Sequence, residues 1–250
     1  MNLCINGALG RMGKMVYNYA KDSDIISVVC GVDVFADKSD LPFPVYPDFT
    51  KVTEKIDVII DFSNKSALDS VLDYALKTNT ALVLCSTGFD ESDIEKVKKA
   101  SKEIAIFRSA NMSVGVNVLV NLVKRACQAL PFFDIEIIEK HHNQKVDSPS
   151  GTAIMLADGI KEVLTEKYFT YGRQGMVGKR DKNEVGIHAV RGGSIVGEHQ
   201  VIFAGQSETI TLTHEAGDRG LFANGALNAA TYIVKKQNGL YDMQDMLNEI

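Results

Sequence analysis

A glycine-rich turn between a short apolar run and a helical pattern constrains this chain more than any other feature. Asn6-Gly7-Ala8-Leu9-Gly10-Arg11-Met12-Gly13 follows the apolar residues 3–5 and opens onto an amphipathic stretch. Glycines placed there let the backbone approach a pyrophosphate, which then rests on a helix N-terminus where amides and the dipole favour anions. The spacing is GxxGxxG, not GxGxxG, and taken alone it serves equally as a tight turn. Its surroundings are more telling. Further β-rich runs fall at 25–29, 56–61, 81–85 and 104–107, with helical stretches between them. Over 66–76, Ala67, Leu68, Val71, Leu72, Ala75 and Leu76 share one face, and 91–100 reads as a charged surface helix. This alternation predicts a parallel sheet wrapped by helices, a Rossmann-like doubly wound α/β fold. Residues 41–47 hold three of the five prolines and read as a loop or an edge crossing.

Asp33 lies 20 residues beyond Gly13, at the end of the second run, where an acidic side chain can hydrogen-bond ribose hydroxyls. Val34 follows and cannot pair with a 2′-phosphate, so the pattern leans towards NADH over NADPH, with Arg11 the basic group that could reach a phosphate. The plain alternatives are a turn residue at Asp33 and a solvated charge at Arg11. Two more loops, Asp61-Phe62-Ser63 and Cys85-Ser86-Thr87-Gly88-Phe89, fall at the carboxyl ends of strands, where open parallel sheets bind ligands. Each is as typical of an ordinary strand-to-helix connection.

After Asn111 the pattern changes. A helix over 116–130 precedes a β-run at 132–138, a polar loop at 141–150 and a second helix beginning near Gly151. Alternating strands follow at 185–190, 194–203 and 207–213, joined by turn signals at Gly192-Gly193 and Gly205-Gln206. We expect a second, α+β domain with a mixed, largely antiparallel sheet. Helices at 221–234 and 243–247 end the chain. The expected division is a dinucleotide-binding domain of residues 1–111, on which the helices of 220–250 pack, and a substrate-binding and oligomerisation domain of residues 112–219.

Composition narrows the function classes. A 250-residue chain that is 45% hydrophobic and 24% charged can bury a core without a metal or disulfide. Its four cysteines lie far apart in apolar runs and read as reduced core residues. A net charge of −5 supplies no field for a nucleic-acid backbone or an anionic membrane, so neither is expected as a partner. No targeting pattern or span of roughly 20 apolar residues is present, and the expected location is the cytoplasm.

The residues with the most chemistry are those from Glu139 to Ala153. Two of the five histidines, His141 and His142, stand with Lys140, Lys145 and Asp147 in a loop that runs through Ser150, Gly151 and Thr152 into a helix. Backbone amides and hydroxyls at such a start suit a carboxylate ligand. Histidine suits proton transfer near neutral pH, and Lys145 can supply charge and a proton. A simple helix cap with exposed histidines is the bland alternative. A metal held by His141, His142 and Asp147 is not expected, because adjacent histidines in an extended chain point apart and no third strong ligand is spaced to join them.

Together, the GxxGRMG start, the Ser86-Thr87-Gly88-Phe89 loop, Asn111-Met112-Ser113-Val114-Gly115-Val116-Asn117, the Glu139-Lys140-His141-His142-x-x-Lys145-x-Asp147-x-Pro149-Ser150-Gly151-Thr152-Ala153 block, Arg191-Gly192-Gly193, Gly197-Glu198-His199 and Phe222-Ala223-x-Gly225-Ala226 resemble the 4-hydroxy-tetrahydrodipicolinate reductase (dihydrodipicolinate reductase) family. The resemblance runs in order along nearly the whole chain. It implies an NADH- or NADPH-dependent homotetramer on the diaminopimelate route to lysine. In that reaction a hydride reaches C4 of an unsaturated cyclic imine dicarboxylate and the enamine is protonated at C3. By the same resemblance, His141 is the proton donor or acceptor and Lys145 its electrostatic partner, while His142, Gly151 and Thr152 contact substrate. Gly7, Ala8, Leu9, Gly10, Arg11, Met12, Asp33, Cys85, Ser86, Thr87, Ser109, Ala110, Asn111 and Met112 match cofactor positions. Arg219 and Phe222 match a late segment near the site. Cys85 and Ser86 replace the first two residues of the family's Gly-Thr-Thr-Gly-Phe loop, and the chain is short between Gly172 and Glu184. A nicotinamide-dependent dehydrogenase acting on aspartate or homoserine is the alternative within the same class. A silent dinucleotide-binding sensor is the alternative outside it.

Overall fold

The computed structural model describes residues 1–249. In chain order its main elements are β1 (Asn2–Asn6), α1 (Arg11–Ala20), β2 (Ser27–Val32), β3 (Val45–Tyr46), β4 (Val58–Asp61), α2 (Leu68–Thr78), β5 (Ala81–Leu84), α3 (Glu91–Ala100), β6 (Ala105–Arg108), α4 (Val114–Ala129), β7 (Asp134–His141), α5 (Gly151–Val163), β8 (Tyr168–Tyr171), β9 (Glu184–Arg191), β10 (Glu198–Ala204), β11 (Thr209–Glu215), α6 (Gly220–Ile233), β12 (Gly239–Tyr241) and α7 (Met243–Leu247). The chain divides into two units, one of Met1–Ser113 with the segment from Gly220 onward, the other of Val114–Arg219.

The first unit is a seven-stranded parallel sheet in the order β12-β6-β5-β4-β1-β2-β3. The residues of β4 and β5 are buried throughout, as expected of strands covered on both faces. The chain winds outward from β1 in both directions, so β1 and β4 flank the switch point where the following loops diverge and leave a crevice. The proline-rich segment does form an edge strand: Pro44 and Tyr46 give their carbonyls to the amides of Gly31 and Asp33, a pairing that needs nothing from a proline nitrogen. Only three residues long, β12 has too little alternation to read in the sequence. The helix α6 is rich in small residues and packs against α1 and β5. A Cβ at Gly225 would lie 1.7 Å from the Met112 carbonyl oxygen, so only glycine permits that approach.

The second unit holds a five-stranded sheet in the order β11-β10-β7-β9-β8. It is mixed, as expected. The antiparallel pairs are β11/β10 and β10/β7, and the parallel pairs are β7/β9 and β9/β8. One expected pairing is not found. The Gly205 turn joins β10 and β11 as a hairpin, but Gly192-Gly193 does not make neighbours of β9 and β10, because β7 lies between them. A turn signal marks where a chain reverses, not which strand fills the adjacent place in the sheet. One face of this sheet packs on α4 and α5 through Ile135, Ile137, Val201 and Phe203 against Val120, Val123, Leu156 and Ile160.

Candidate functional site

Strand β7 alternates buried and half-buried side chains, and its buried set runs Ile135, Ile137, Glu139, His141. The buried set of β10 is His199, Val201, Phe203, with His199 opposite Glu139. The core-facing pattern thus changes from apolar to ionisable at one end of the sheet. Such a departure from binary patterning marks a functional site, since burying these groups costs free energy that packing alone would not justify.

Every one of these groups has partners. Glu139 is fully buried and accepts from His141 Nδ1 at 2.6 Å, from both amino groups of Arg191 at 2.7 Å and from the Ser150 amide at 3.1 Å. Burial alone would push its carboxyl up, but the Arg191 and His141 bonds outweigh that and hold it below the usual carboxylate range. Arg191 also donates to the Asp147 carbonyl at 2.8 Å, so it ties the loop to the strand. Ser150 caps α5, accepting from the Ala153 amide at 3.2 Å, and its hydroxyl meets His199 Nε2 at 2.8 Å. The first turn of α5 itself carries no acidic side chain, and Glu139 meets the positive end of its dipole at the Ser150 amide. Lys145 sits 2.8 Å from both oxygens of Asp147 and holds that carboxyl below its ordinary range. His142, His199 and His214 each keep a buried Nδ1 without a hydrogen-bond partner among the described residues.

Burial pushes His199 down to about 4. The folded state therefore keeps it neutral at pH values where the unfolded chain, titrating near 6.5, takes up a proton. Its contribution to stability is complete above that range and is lost as pH falls from about 6.5 towards 4, by up to about 3 kcal/mol. The melting temperature is expected to fall more steeply over this window in the wild type than in His199→Gln. Parallel slopes would show that another group carries the effect.

The nucleotide candidates lie in the first unit, at the carboxyl edge of its sheet. Gly7 has φ +77° and donates to the Val32 carbonyl at 2.8 Å, and a Cβ on Gly13 would stand 2.2 Å from the Gly7 oxygen. The turn is therefore closed tightly against the start of α1, with Arg11 exposed at the first helical position. Asp33 accepts from the Leu9 and Phe35 amides at 2.9 and 3.0 Å, which fixes its carboxylate beside the turn. A cavity of about 560 Å³ opens here, lined by Gly7, Leu9, Gly10, Asp33, Phe35 and Phe62 among others. Largely apolar walls with the carboxylates of Asp33 and Asp48 suit an adenosine moiety, so the residues present fit a dinucleotide. Ala8 and Met12 pack beneath the turn, buried and half-buried.

The loop after β5 presents exposed Thr87 beside half-buried Cys85, whose thiol burial pushes well up. Ser109, Ala110, Asn111 and Met112 follow β6, where the Ser109 hydroxyl donates to the Asn111 carbonyl at 2.9 Å. The role of Asp61 was missed in the sequence. Its side chain is buried and accepts from Asn6 Nδ2 at 2.7 Å, from the Ser63 amide at 3.2 Å and from the Ser63 and Ser86 hydroxyls, so it knots the loops after β1, β4 and β5 together beneath the crevice. Burial pushes its carboxyl up. An aspartate closing an otherwise apolar strand was the available signal. Among the described residues no group of three metal-ligating side chains is found, and no helix is long and apolar enough to cross a membrane.

Known proteins share this architecture and this sequence. Residues 1–112 match the family described as "Dihydrodipicolinate reductase, N-terminus", and residues 115–247 match "Dihydrodipicolinate reductase, C-terminus". The chain is 50% identical over 250 residues to a 4-hydroxy-tetrahydrodipicolinate reductase of Caldanaerobacter subterraneus subsp. tengcongensis, covering 100% of this chain and 99% of the relative. It is 48% identical over 245 residues to the enzyme of that name from Clostridium novyi, covering 97% and 96%. Its fold is similar to that of a dipicolinate-bound dihydrodipicolinate reductase from Paenisporosarcina sp. TG-14, with a TM-score of 0.82 at 23% identity and 97% of each chain covered. With both halves matched in order and half the residues identical along its full length, the chain belongs to the dihydrodipicolinate reductase family.

Proposed function

We propose that this reductase, a 4-hydroxy-tetrahydrodipicolinate reductase by family, uses His141 as its proton donor and Lys145 with the α5 N-terminus as its anion receptor. The observation that carries the reading is that an ionised Glu139, a histidine, a lysine and a capped helix start occupy one end of the second sheet. A cyclic dicarboxylate needs anion donors, and the amides of Gly151 and Thr152, the Lys145 ammonium and His142 provide them. A nicotinamide cofactor held by the glycine turn and Asp33 would supply the hydride. As that hydride adds, negative character grows on the conjugated enamine, and Lys145 and the His141 acid stabilise it more than they stabilise the ground state. His141 then protonates carbon. Membership of the dihydrodipicolinate reductase family argues against a dehydrogenase of aspartate or homoserine, and a silent sensor has no use for a buried, ionised Glu139 behind a histidine.

In this reading Gly7, Ala8, Leu9, Gly10, Arg11 and Met12 hold the pyrophosphate, Asp33 the ribose, and Cys85, Ser86, Thr87 and 109–112 line the rest. The fixed Asp33 carboxylate accepts from ribose hydroxyls and repels a 2′-phosphate, which favours NADH. The protein works in the cytoplasm as a homotetramer. Half-buried Ile138 and Ile202 and exposed Val190, on the sheet face away from α4 and α5, are the motive for subunit contacts there. Sedimentation should give about four times the chain mass of 27.4 kDa.

The test supplies pyruvate, aspartate semialdehyde and the upstream synthase, and follows absorbance at 340 nm with NADH or NADPH. Oxidation that requires both this protein and the synthase product is expected. In Asp33→Ala, KM for NADH should rise about tenfold, the cost of one charge-assisted hydrogen bond, and KM for NADPH should change less. Equal weakening of both would mean that Asp33 does not read the 2′ position.

A further inference from the structure

Four donors converge on the carboxylate of Glu139. Oε2 takes the His141 Nδ1 proton and one Arg191 amino group, and Oε1 takes the other Arg191 amino group and the Ser150 amide. An anchor for β7 needs none of this, since Ile135 and Ile137 fill the same face of the same strand. Replacing a buried ion pair by apolar residues is often neutral or stabilising, so the carboxylate is here for something that packing cannot do. Its oxygens only accept. A neutral imidazole beside them must carry its proton on Nδ1 and present Nε2 as a lone pair. A Cβ built on Gly197 would lie 3.1 Å from that Nε2, so glycine leaves room beside the atom.

We propose that Glu139 is a positioning residue of the reaction: it keeps a proton on His141 Nδ1 throughout, so that the doubly protonated ring passes its Nε2 proton to substrate and is left as the Nδ1-protonated neutral tautomer, and through the Ser150 amide it ties that acid to the anion-binding start of α5. The proposal rests on His141 being the proton donor. In the step, the Nε2–H bond breaks and its electron pair stays on nitrogen. The enamine π pair forms the new C–H bond, and solvent later returns a proton to Nε2. The other charged or titratable groups packed about Glu139 and the ring are Arg191 from β9 and His199 from β10, the latter at 5.2 Å between ring centroids, and the loop that follows His141 carries the Lys145–Asp147 ion pair.

The substitution Glu139→Gln supplies a signed test. A glutamine side chain has one accepting oxygen for four donors. Arg191 and the Ser150 amide cannot become acceptors, whereas His141 can, by moving its proton. The amide nitrogen introduced by E139Q is therefore expected to face His141 and switch the neutral ring to the Nε2-protonated form. Nitrogen-15 spectra of the histidine-labelled full chain, with the His141 signals identified by their absence in His141→Gln, should show Nδ1–H in the wild type and Nε2–H in E139Q. At the same time kcat should fall about 100-fold or more with KM for NADH nearly unchanged. A wild-type ring protonated on Nε2 overturns the proposal whether or not E139Q folds, and so does an E139Q ring that keeps its proton on Nδ1. A switched tautomer with kcat within about threefold of wild type also overturns it, whereas His141 itself is removed from the chemistry only if His141→Gln keeps kcat near the wild-type value.

Discussion

His141→Gln is expected to lower kcat by about 10²–10⁴-fold while KM for NADH stays within about twofold, the pattern of lost acid catalysis with intact cofactor binding. Glutamine reaches about as far as histidine and can still hydrogen-bond Glu139, so the buried carboxylate keeps its Arg191 and Ser150 partners and the strand keeps its place. What is lost is a ring nitrogen that can carry a proton and pass it on. Steady-state kinetics with saturating NADH and varied substrate separates the alternatives. A drop of more than about tenfold in cofactor affinity would assign the His141 segment a structural role, and kcat near the wild-type value would place the acid elsewhere.

Lys145→Met should reduce kcat/KM by about 10²–10³-fold, the loss that follows removal of one preorganised donor from developing negative charge. Methionine keeps the apolar stem but removes the charge. KM for the dicarboxylate should rise, because in the proposed complex the ammonium pairs with substrate in the ground state, and kcat should fall too, because that pairing would tighten as charge develops. Asp147, held low by Lys145 at 2.8 Å, loses its partner and returns towards its ordinary range. Lys145→Arg should recover part of the loss in KM and less of that in kcat, since a planar fork can bind a carboxylate but puts its charge in a different place. If Lys145→Met raised KM alone, the residue would bind substrate without helping the transition state.

Much of the site was legible because its parts are contiguous in sequence. The turn from Gly7 to Gly13 advertises itself through residues chosen for backbone geometry, and the structure shows why: Gly7 is left-handed, and Gly13 leaves no room for a Cβ. The block from Glu139 to Thr152 holds the proposed acid, the proposed anion-binding lysine and the helix cap within one short run. Arg191 and His199 were legible only as pieces of family motifs. Nothing local says that Arg191 clamps Glu139 across 52 positions, or that His199 meets Ser150 across 49. Asp61 was readable as a loop residue but not as the knot beneath three loops, since its partners Asn6 and Ser86 come from different strand ends.

The amino-acid order therefore dictates the class of each local piece, because hydrophobic period, glycine placement and helix caps act over a few residues. It also carries the alternating pattern that puts Glu139 and His141 on the same side of β7. Strand order is another matter. That β7 lies between β9 and β10, bringing Arg191 to one side of Glu139 and His199 to the other, follows from which packing of the whole second unit buries its apolar faces together. The ionisation of Glu139 and the neutrality of His199 arise at that same level, since both depend on desolvation and on charges supplied by neighbouring strands, and neither is a property of the residue in its own segment.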